Sequence, residues 1–329
     1  MPTTTAISAI GLRKHYGRKA ALDGFDLEVP AGSVHGLLGP NGAGKTTAVR
    51  CLSTLTRADA GTASIAGLDV RSAAGKVRSR IGLVTQAHAV DEALTGRQNL
   101  TLFARLSGLG RRQAHARAVE MLNEFDLVDA ADRAAGGYSG GMRRRLDIAA
   151  ALVLRPDVLF LDEPTTGLDP RARATVWNAV RTVAASGTTV LLTTQLLDEA
   201  DQLADRISVM KAGKVIADGT PNALKDQLGG DRLTITIRDR TRVEETIATI
   251  SAALGVTATA DADARSVTVE VTAGARALAP VVRALDQAHI DTDDVMLRRP
   301  TLDEVFLHLT GSDATNEAST QSISPKEHA

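Results

Sequence analysis

The sequence is short of cysteine, of aromatic side chains and of net charge, and each shortage excludes a class of protein. Cys51 is the only cysteine in 329 residues, so we expect no disulfide partner within the chain and a reducing compartment around it. Aromatic residues make up 2% of the chain, and the net charge is −1. These values leave few side chains to stack on bases and no broad basic face, so we expect no nucleic-acid partner.

Long apolar runs are missing as well. No window reaches the roughly 18 uncharged apolar residues that a membrane-spanning helix needs, and the N-terminal segment lacks the apolar core of a secretory signal. A role at a membrane would therefore depend on a partner. The length, with 43% apolar and 23% charged residues, predicts one large globular domain and a smaller one. Cys51 falls in a helical pattern with no motif around it, and we interpret it as a small buried hydrophobe rather than a nucleophile.

The apolar pattern of the first 220 residues predicts an α/β fold. Residues 1–35 alternate apolar and polar positions between glycine and proline breaks, which is typical of short antiparallel strands. A segment of about 94–135, rich in Ala, Leu, Arg and Glu, is predicted to be helical. Three apolar runs bounded by turns or helices are typical of buried parallel strands: VHGLL (34–38), DVLFLDE (157–163) and TTVLLTT (188–194).

After about residue 230 the pattern changes, and a small α+β domain is predicted. If residues 257–262 also form a strand, the order is compatible with a split βαβ arrangement. The tail 312–329 has almost no large apolar residues and is predicted to be disordered. The other predicted elements are strands at 229–239, 266–272 and 295–299 and helices at 243–254, 277–288 and 301–309.

The segment GPNGAGKTT (39–47), here called the phosphate loop, matches the pattern G-x-x-x-x-G-K-[ST]. Its glycines let successive N–H groups point inward at phosphate oxygens, and the helix that follows presents its positive end to them. Lys45 adds a charge for the β- and γ-phosphates of ATP, and Thr46 offers a hydroxyl to Mg²⁺. The alternative is a structural glycine turn. The predicted ATP-binding residues are Gly39, Asn41, Gly42, Gly44, Lys45, Thr46 and Thr47.

Two acidic residues, Asp162 and Glu163, end the apolar run at 157–163. Strand alternation predicts that they point to opposite sides and hold different roles. Asp162 can hold the water shell of Mg²⁺, and Glu163 can orient and deprotonate the attacking water. The alternative is a solvated turn before Pro164.

The segment YSGGM (138–142), here called the signature segment, completes a set of motifs that resembles the ATP-binding subunits of ABC transporters. In that family a serine and two glycines stand ahead of the second acidic motif, and GLDP (167–170) follows it. The resemblance covers roughly residues 6–220. The segments VDEALTGRQNL, TTQ and TLDEVFLHLTG are similar to the subfamily of daunorubicin/doxorubicin-resistance exporter ATPases.

The resemblance implies a P-loop NTPase fold of the ABC type. It would have a mixed sheet core, an antiparallel β N-terminal subdomain and a helical subdomain of about 88–155. The implied ATPase domain is 1–228, followed by a small C-terminal α+β domain at 229–311 and the tail at 312–329.

The resemblance also assigns roles to residues that their own chemistry leaves open. Ser139, Gly140 and Gly141 would cap the γ-phosphate of ATP held by a partner chain, so that two copies enclose two ATP molecules head to tail. Tyr16 would stack on adenine, with simple packing as the alternative, and Asp169 would position the two sites across the dimer. Gln86 would sense Mg²⁺ and the membrane partner, with a solvated loop glutamine as the alternative.

The sequence departs from the family pattern at one catalytic position. Gln195 stands where the family has a switch histidine, and a glutamine can hydrogen-bond a γ-phosphate but cannot shuttle a proton. The arginines at 143–145 either add positive potential or form a solvated helix face, and His88 matches no motif and is interpreted as a loop histidine.

These observations predict an ATPase subunit that powers export, of a drug or antibiotic by resemblance, through a separate integral-membrane permease. Such a subunit would lie on the cytoplasmic face of the cell membrane as a peripheral protein. Two alternatives remain open: a soluble ABC-type ATPase that acts on DNA or ribosomes, and a nucleotide-dependent regulator with little turnover.

Overall fold

The computed structural model describes residues 4–260, 265–272 and 274–309, and the chain divides into two units between Pro221 and Asn222. The segment predicted to be a disordered tail, 312–329, and the last two residues of the segment 257–262 lie outside the described residues. The domain boundary placed at 228/229 from the sequence stays a prediction.

The first unit contains both strands and helices. Its strands are β1 (Thr5–Tyr16), β2 (Lys19–Pro30), β3 (Val34–Leu38), β4 (Ala60–Ile65), β5 (Leu68–Asp69), β6 (Ile81–Val84), β7 (Val158–Asp162), β8 (Thr189–Thr194), β9 (Arg206–Lys211) and β10 (Lys214–Gly219). Its helices are α1 (Lys45–Leu52), α2 (Ala74–Arg78), α3 (Gly96–Leu106), α4 (Arg111–Glu124), α5 (Gly140–Ala151), α6 (Pro170–Ala185) and α7 (Leu197–Leu203), and α8 (Pro221–Asp226) spans the division.

Two sheets form the first unit, as the mixed α/β prediction requires. The N-terminal strands make an antiparallel sheet in the order β2-β1-β4-β5, in which β1 and β2 are each 12 residues long rather than short. The central sheet has the order β10-β9-β3-β8-β7-β6. Its inner strands are parallel, and β10 alone runs antiparallel to its neighbour β9.

The central strands are apolar throughout because both faces of the sheet are covered. On β7, Val158 and Phe160 pack with the N-terminal sheet and α1, while Leu159 and Leu161 pack with residues of α3 to α6. Burial on both sides removes the polar alternation of a half-exposed strand. The carboxyl ends of β3, β7 and β8 lie at one edge of this sheet, which is where α/β proteins bind ligands.

The second unit has the split βαβ order that the sequence pattern allows. Its four strands pair antiparallel in the order β12-β13-β11-β14. Strand β14 begins at Thr292 rather than at 295, because its first residues are polar and escape an apolar pattern. The elements are β11 (Asp231–Ile237), α9 (Val243–Leu254), β12 (Thr259–Ala260), β13 (Ser266–Val271), α10 (Leu278–Gln287), β14 (Thr292–Arg298) and α11 (302–309).

None of the helices within the described residues has both the length and the apolar character that a membrane crossing requires.

A buried histidine on β3 makes the first unit sensitive to acid. His35 is fully buried, and its Nε2 lies 2.8 Å from Ser208 Oγ, which donates to Asp218 Oδ2 at 2.6 Å. Burial lowers the pKa of His35 to about 4, against an attraction to Asp218 that raises it. Because the unfolded chain takes up this proton near pH 6.5, the stabilisation from neutral His35 is complete above that pH and is lost as pH falls toward 4.

We therefore expect the free energy of unfolding to fall by on the order of 2 kcal/mol more in the wild type than in His35→Gln between about pH 7.5 and pH 5. Denaturant unfolding followed by the fluorescence of Trp177, the only tryptophan, measures the difference. The comparison with the variant removes the contribution of other titrating groups. Parallel pH profiles for the two proteins would contradict the assignment.

Candidate active site

The phosphate loop connects β3 to α1, and its glycines are required by contact and by backbone angle. A Cβ on Gly39 would lie 2.4 Å from the carbonyl oxygen of Met210, and one on Gly44 would lie 2.2 Å from that of Ala21. Gly44 also has φ of +108°, in the left-handed region. Gly44 immediately precedes α1 and has no side chain to cap it, so the first N–H groups of the helix remain suited to an anion.

Lys45 is a cation held inside the loop, with 4% of its surface exposed. Its Nζ donates to the carbonyl oxygens of Gly39 at 2.8 Å and Pro40 at 3.1 Å. Glu163 Oε1 lies 3.5 Å from the same nitrogen. The loop therefore fixes a buried positive charge beside a buried carboxylate.

Asp162 lies at the end of β7, 3% exposed, and its Oδ1 accepts two hydroxyl donors. Thr46 Oγ1 donates at 3.2 Å and Thr193 Oγ1 at 2.6 Å. Thr193 was missed in the sequence interpretation. It is the residue of β8 that pairs with Asp162 in the sheet, so the adjacency of two strand ends is the signal that could have found it.

Glu163 follows β7 directly, with a positive φ of 50° that ends the strand geometry. The prediction that Asp162 and Glu163 point to opposite sides was wrong, because alternation does not extend through such a residue. The two carboxylates instead contact the neighbouring residues Thr46 and Lys45. Gln86 Nε2 donates to Glu163 Oε2 at 2.8 Å, so Gln86 belongs to the same cluster.

The oxygen atoms of Thr46 and Asp162 fit a magnesium ion. A hydroxyl and a carboxylate are the ligand types that Mg²⁺ takes from proteins, with water and phosphate oxygens completing the shell. Among the described residues, no group of three or more His, Cys, Asp or Glu side chains is arranged to hold a metal.

A pocket of about 270 Å³ opens over the phosphate loop. Tyr16 lines it with 49% of its surface exposed, and Lys14 Nζ lies 5.6 Å from the centre of its ring. Simple core packing therefore does not describe this side chain. The residues that line the pocket are Tyr16, Lys19, Ala21, Asn41, Gly42, Gly44, Lys45, Thr46, Thr47, Gln86 and Glu163.

The signature segment forms the start of α5. Ser139 is the N-cap, and its Oγ accepts from Met142 N at 3.3 Å. A Cβ on Gly140 would lie 2.9 Å from Leu168 Cδ2, and one on Gly141 would lie 3.0 Å from Ala172 Cβ. The glycine pair therefore allows close contact with the beginning of α6, which Asp169 caps by accepting from Ala172 N at 2.8 Å.

In the part of the chain that the structure describes, neither the signature segment nor Gln195 lines the pocket of its own chain, although Gln195 directly follows Thr194, whose carbonyl oxygen accepts from Gly39 N at 3.3 Å. Ser139 and Gly140 are exposed, and Gln195 is exposed where it follows β8. The roles given to these residues, and those given to Tyr16, Gln86, Asp162, Glu163 and Asp169, stay predictions.

Three further residues have partners that the sequence interpretation did not foresee. Arg144 is 4% exposed and donates to the carbonyl oxygens that follow β6, so a solvated helix face was wrong for this arginine. His88 lies in a loop, as interpreted from the sequence, and its Nδ1 contacts Asp147 of α5. Glu199 is buried, which raises the pKa of its carboxyl, and it accepts from Thr165 Oγ1 at 2.6 Å and Trp177 Nε1 at 3.1 Å.

Comparison with known proteins places two family models on the chain. Residues 22–166 match the ABC transporter family, and residues 219–310 match the C-terminal domain of ATP-binding proteins similar to DrrA1-3. The daunorubicin resistance ATP-binding protein DrrA3 of Streptomyces coeruleorubidus is 59% identical over 94% of this chain and 97% of its own. The daunorubicin/doxorubicin resistance ATP-binding protein DrrA of Streptomyces peucetius is 50% identical over 98% of both.

A solved structure agrees with these matches. CbiO1 of Clostridium perfringens, described as part of the ABC transporter complex cbiONQ, superposes with a TM-score of 0.63 at 26% identity. The superposition covers 67% of this chain and 90% of that one.

Proposed function

Because this chain belongs to the ATP-binding proteins of ABC transporters, in the group of daunorubicin/doxorubicin-resistance ATP-binding proteins, we propose that it powers export of a drug or antibiotic through a separate membrane permease. The chain binds and hydrolyses ATP, as its family does. The observation that carries the proposal is the meeting of Lys45, Thr46, Asp162, Glu163 and Gln86 at one edge of the central sheet.

Each of these residues has a defined chemical task in the proposed reaction. Lys45 and the first N–H groups of α1 hold the β- and γ-phosphates and offset their negative charge. Glu163 accepts a proton from the attacking water as the water forms its bond to the γ-phosphorus and ADP leaves. Gln86 donates to Glu163 Oε2, and Glu163 Oε1 lies on the side of Lys45 in the phosphate loop.

Magnesium is the proposed cofactor, and Thr46 and Asp162 are the residues that would hold it. When bound, the ion neutralises charge that develops on the phosphate oxygens. Thr193 supports this role by donating to Asp162 Oδ1, which fixes the carboxylate against β8. Gln86 is a further proposed contact to the ion.

Two copies are proposed to pair head to tail. Support comes from the exposure of Ser139 and Gly140, neither of which lines the pocket that their own chain forms. In the proposed dimer, Ser139 and the N–H groups at the start of α5 face the γ-phosphate bound by the partner, where a hydroxyl and a helix terminus stabilise negative charge. Asp169, which caps α6, would hold the neighbouring turn against the partner, and Tyr16 would stack on adenine.

The permease is proposed from the relatives. The relatives are named for resistance to daunorubicin and doxorubicin, and cbiO1 is described as part of a transporter complex. A chain of this kind would bind the cytoplasmic face of the cell membrane through the permease. The transported compound would then be chosen by the permease and not by this subunit.

Lys45→Met tests the phosphate site. We expect the full-length variant to bind ATP at least about 10-fold more weakly and to lose Mg²⁺-dependent turnover, because a buried charge beside the phosphates is removed. Equilibrium dialysis with ATP and phosphate release measure the two effects. Lys76→Met, at an exposed lysine of α2, is the matched control and should change neither. Undiminished ATP binding in Lys45→Met would refute the proposed site.

A further inference from the structure

The loop that carries Gln86 has no regular secondary structure. Residues 85–90, here called the Gln86 loop, leave β6 and precede α3, and residues 85–89 are exposed. Gln86 nevertheless holds its amide 2.8 Å from Glu163 Oε2. A loop that lacks the backbone hydrogen bonds of a helix or sheet needs contacts from another element to hold the Gln86 side chain in one position.

Arg144 of α5 supports the beginning of the Gln86 loop. Its guanidinium donates to the carbonyl oxygens of Thr85 at 2.7 Å and Gln86 at 3.3 Å. The Arg144 side chain is 5% exposed, so the guanidinium is largely withdrawn from water while it bonds to this exposed loop. A planar guanidinium with two donors fixes the direction of both carbonyl groups, which a single lysine nitrogen could not do.

Asp147, one helical turn later, supports the end of the same loop. Its Oδ1 accepts from the backbone nitrogens of Ala89 at 2.9 Å and Val90 at 3.3 Å, and its Oδ2 accepts from His88 Nδ1 at 2.5 Å. The carboxylate is 2% exposed and lies 4.0 Å from Arg144. A cation therefore meets carbonyl groups at one end of the loop, and an anion meets N–H groups at the other.

We propose that Arg144 and Asp147 are positioning residues that couple the signature segment to Gln86, and through Gln86 to Glu163. The coupling acts through α5, because Ser139 caps the same 12-residue helix that carries Arg144 and Asp147. A helix of that length is about 18 Å long and moves as a stiff unit. When the signature segment of one chain engages nucleotide bound by the other, α5 carries the Gln86 loop with it. This inference rests on the proposed function, since it assumes that Glu163 acts in hydrolysis.

A double-mutant cycle distinguishes this coupling from a structural role. In the full-length protein, Arg144→Met should lower kcat for ATP by about 10-fold while KM changes by less than about two-fold. In a Gln86→Ala background the same substitution should lower kcat by less than about two-fold, because the side chain through which it acts is gone. Equal losses in both backgrounds would overturn the proposal.

Arg145→Met is the matched control for the cycle. Arg145 lies next to Arg144 on α5 and also donates to two backbone carbonyl oxygens, those of Phe125 at 2.8 Å and Asp126 at 3.1 Å. The turn that Arg145 contacts, after α4, does not carry Gln86. Its effect on kcat should therefore be the same, within about two-fold, with and without the Gln86 side chain.

Hydrogen exchange tests the hydrogen bonds between Asp147 and the Gln86 loop without a measurement of activity. In Asp147→Ala the amides of Ala89 and Val90 should exchange at least about 10-fold faster than in the wild type. Asp147→Asn keeps one acceptor oxygen, should give a smaller increase, and replaces the alanine variant if that protein does not fold. Unchanged exchange in the folded variant overturns the proposal, even for a chain that turns over no ATP. Absence of turnover in the wild type with exchange behaving as expected contradicts the proposed function alone.

Discussion

Glu163→Gln is expected to lower ATP turnover by about 10²- to 10⁴-fold, the contribution of a positioned general base. The amide has the shape of the carboxylate and can still accept from Gln86 Nε2, so the 2.8 Å contact should survive. It cannot take the proton of the attacking water. The effect should therefore fall on kcat, with ATP affinity preserved or increased, because removing the carboxylate 3.5 Å from Lys45 frees that cation for phosphate.

Single-turnover phosphate release and equilibrium ATP binding separate the two effects. Asp157→Asn is the matched control. Asp157 stands immediately before the first residue of β7, whereas Glu163 follows the last, and it is paired with Arg80 at 2.5 Å, away from the pocket over the phosphate loop. That variant should retain turnover within about two-fold. If the wild type already has a near-zero rate and Glu163→Gln does not change it, the chain is a nucleotide-dependent regulator, as the exposed Gln195 in place of a histidine would allow.

The parts of this fold that could be predicted are those whose cause is local. The run at 34–38 became β3 because burial on both faces leaves no polar alternation, and the helix predicted at 243–254 is α9 residue for residue. Gly255, with φ of +68°, ends that helix in the left-handed conformation that glycine adopts without strain. The phosphate loop is equally local, because one continuous segment supplies its glycines, its lysine and its threonine.

The parts that could not be predicted depend on which strands and helices become neighbours. Thr193 supports Asp162 only because β8 lies next to β7 with these two residues in register. The arginines 143–145 look alike in the sequence, but successive helical residues point about 100° apart. Their partners are accordingly separate: Arg143 bonds Glu92, Arg144 holds the Gln86 loop, and Arg145 bonds the turn after α4.

Two inactive chains are expected to restore activity to each other if the signature segment acts across a dimer. A Ser139→Arg chain keeps its phosphate loop but blocks the site it caps, and a Lys45→Ala chain keeps its signature segment but has a defective loop. In a mixed dimer, one site combines the intact phosphate loop of the Ser139→Arg chain with the intact signature segment of the Lys45→Ala chain. The other site contains both substitutions. Mixed dimers purified through two different tags should show about half of the wild-type turnover if the sites act independently.

The control that makes this result specific is a second mixture. Lys45 and Glu163 lie on the same side of the site, with Lys45 Nζ 3.5 Å from Glu163 Oε1 within one chain. A dimer of Lys45→Ala with Glu163→Gln therefore has one defect in each site and should remain inactive. Recovery in the first mixture and none in the second can arise only if the signature segment serves the partner's nucleotide. If each chain capped its own nucleotide, both mixtures would stay inactive, because Ser139 and Lys45 would then belong to the same site.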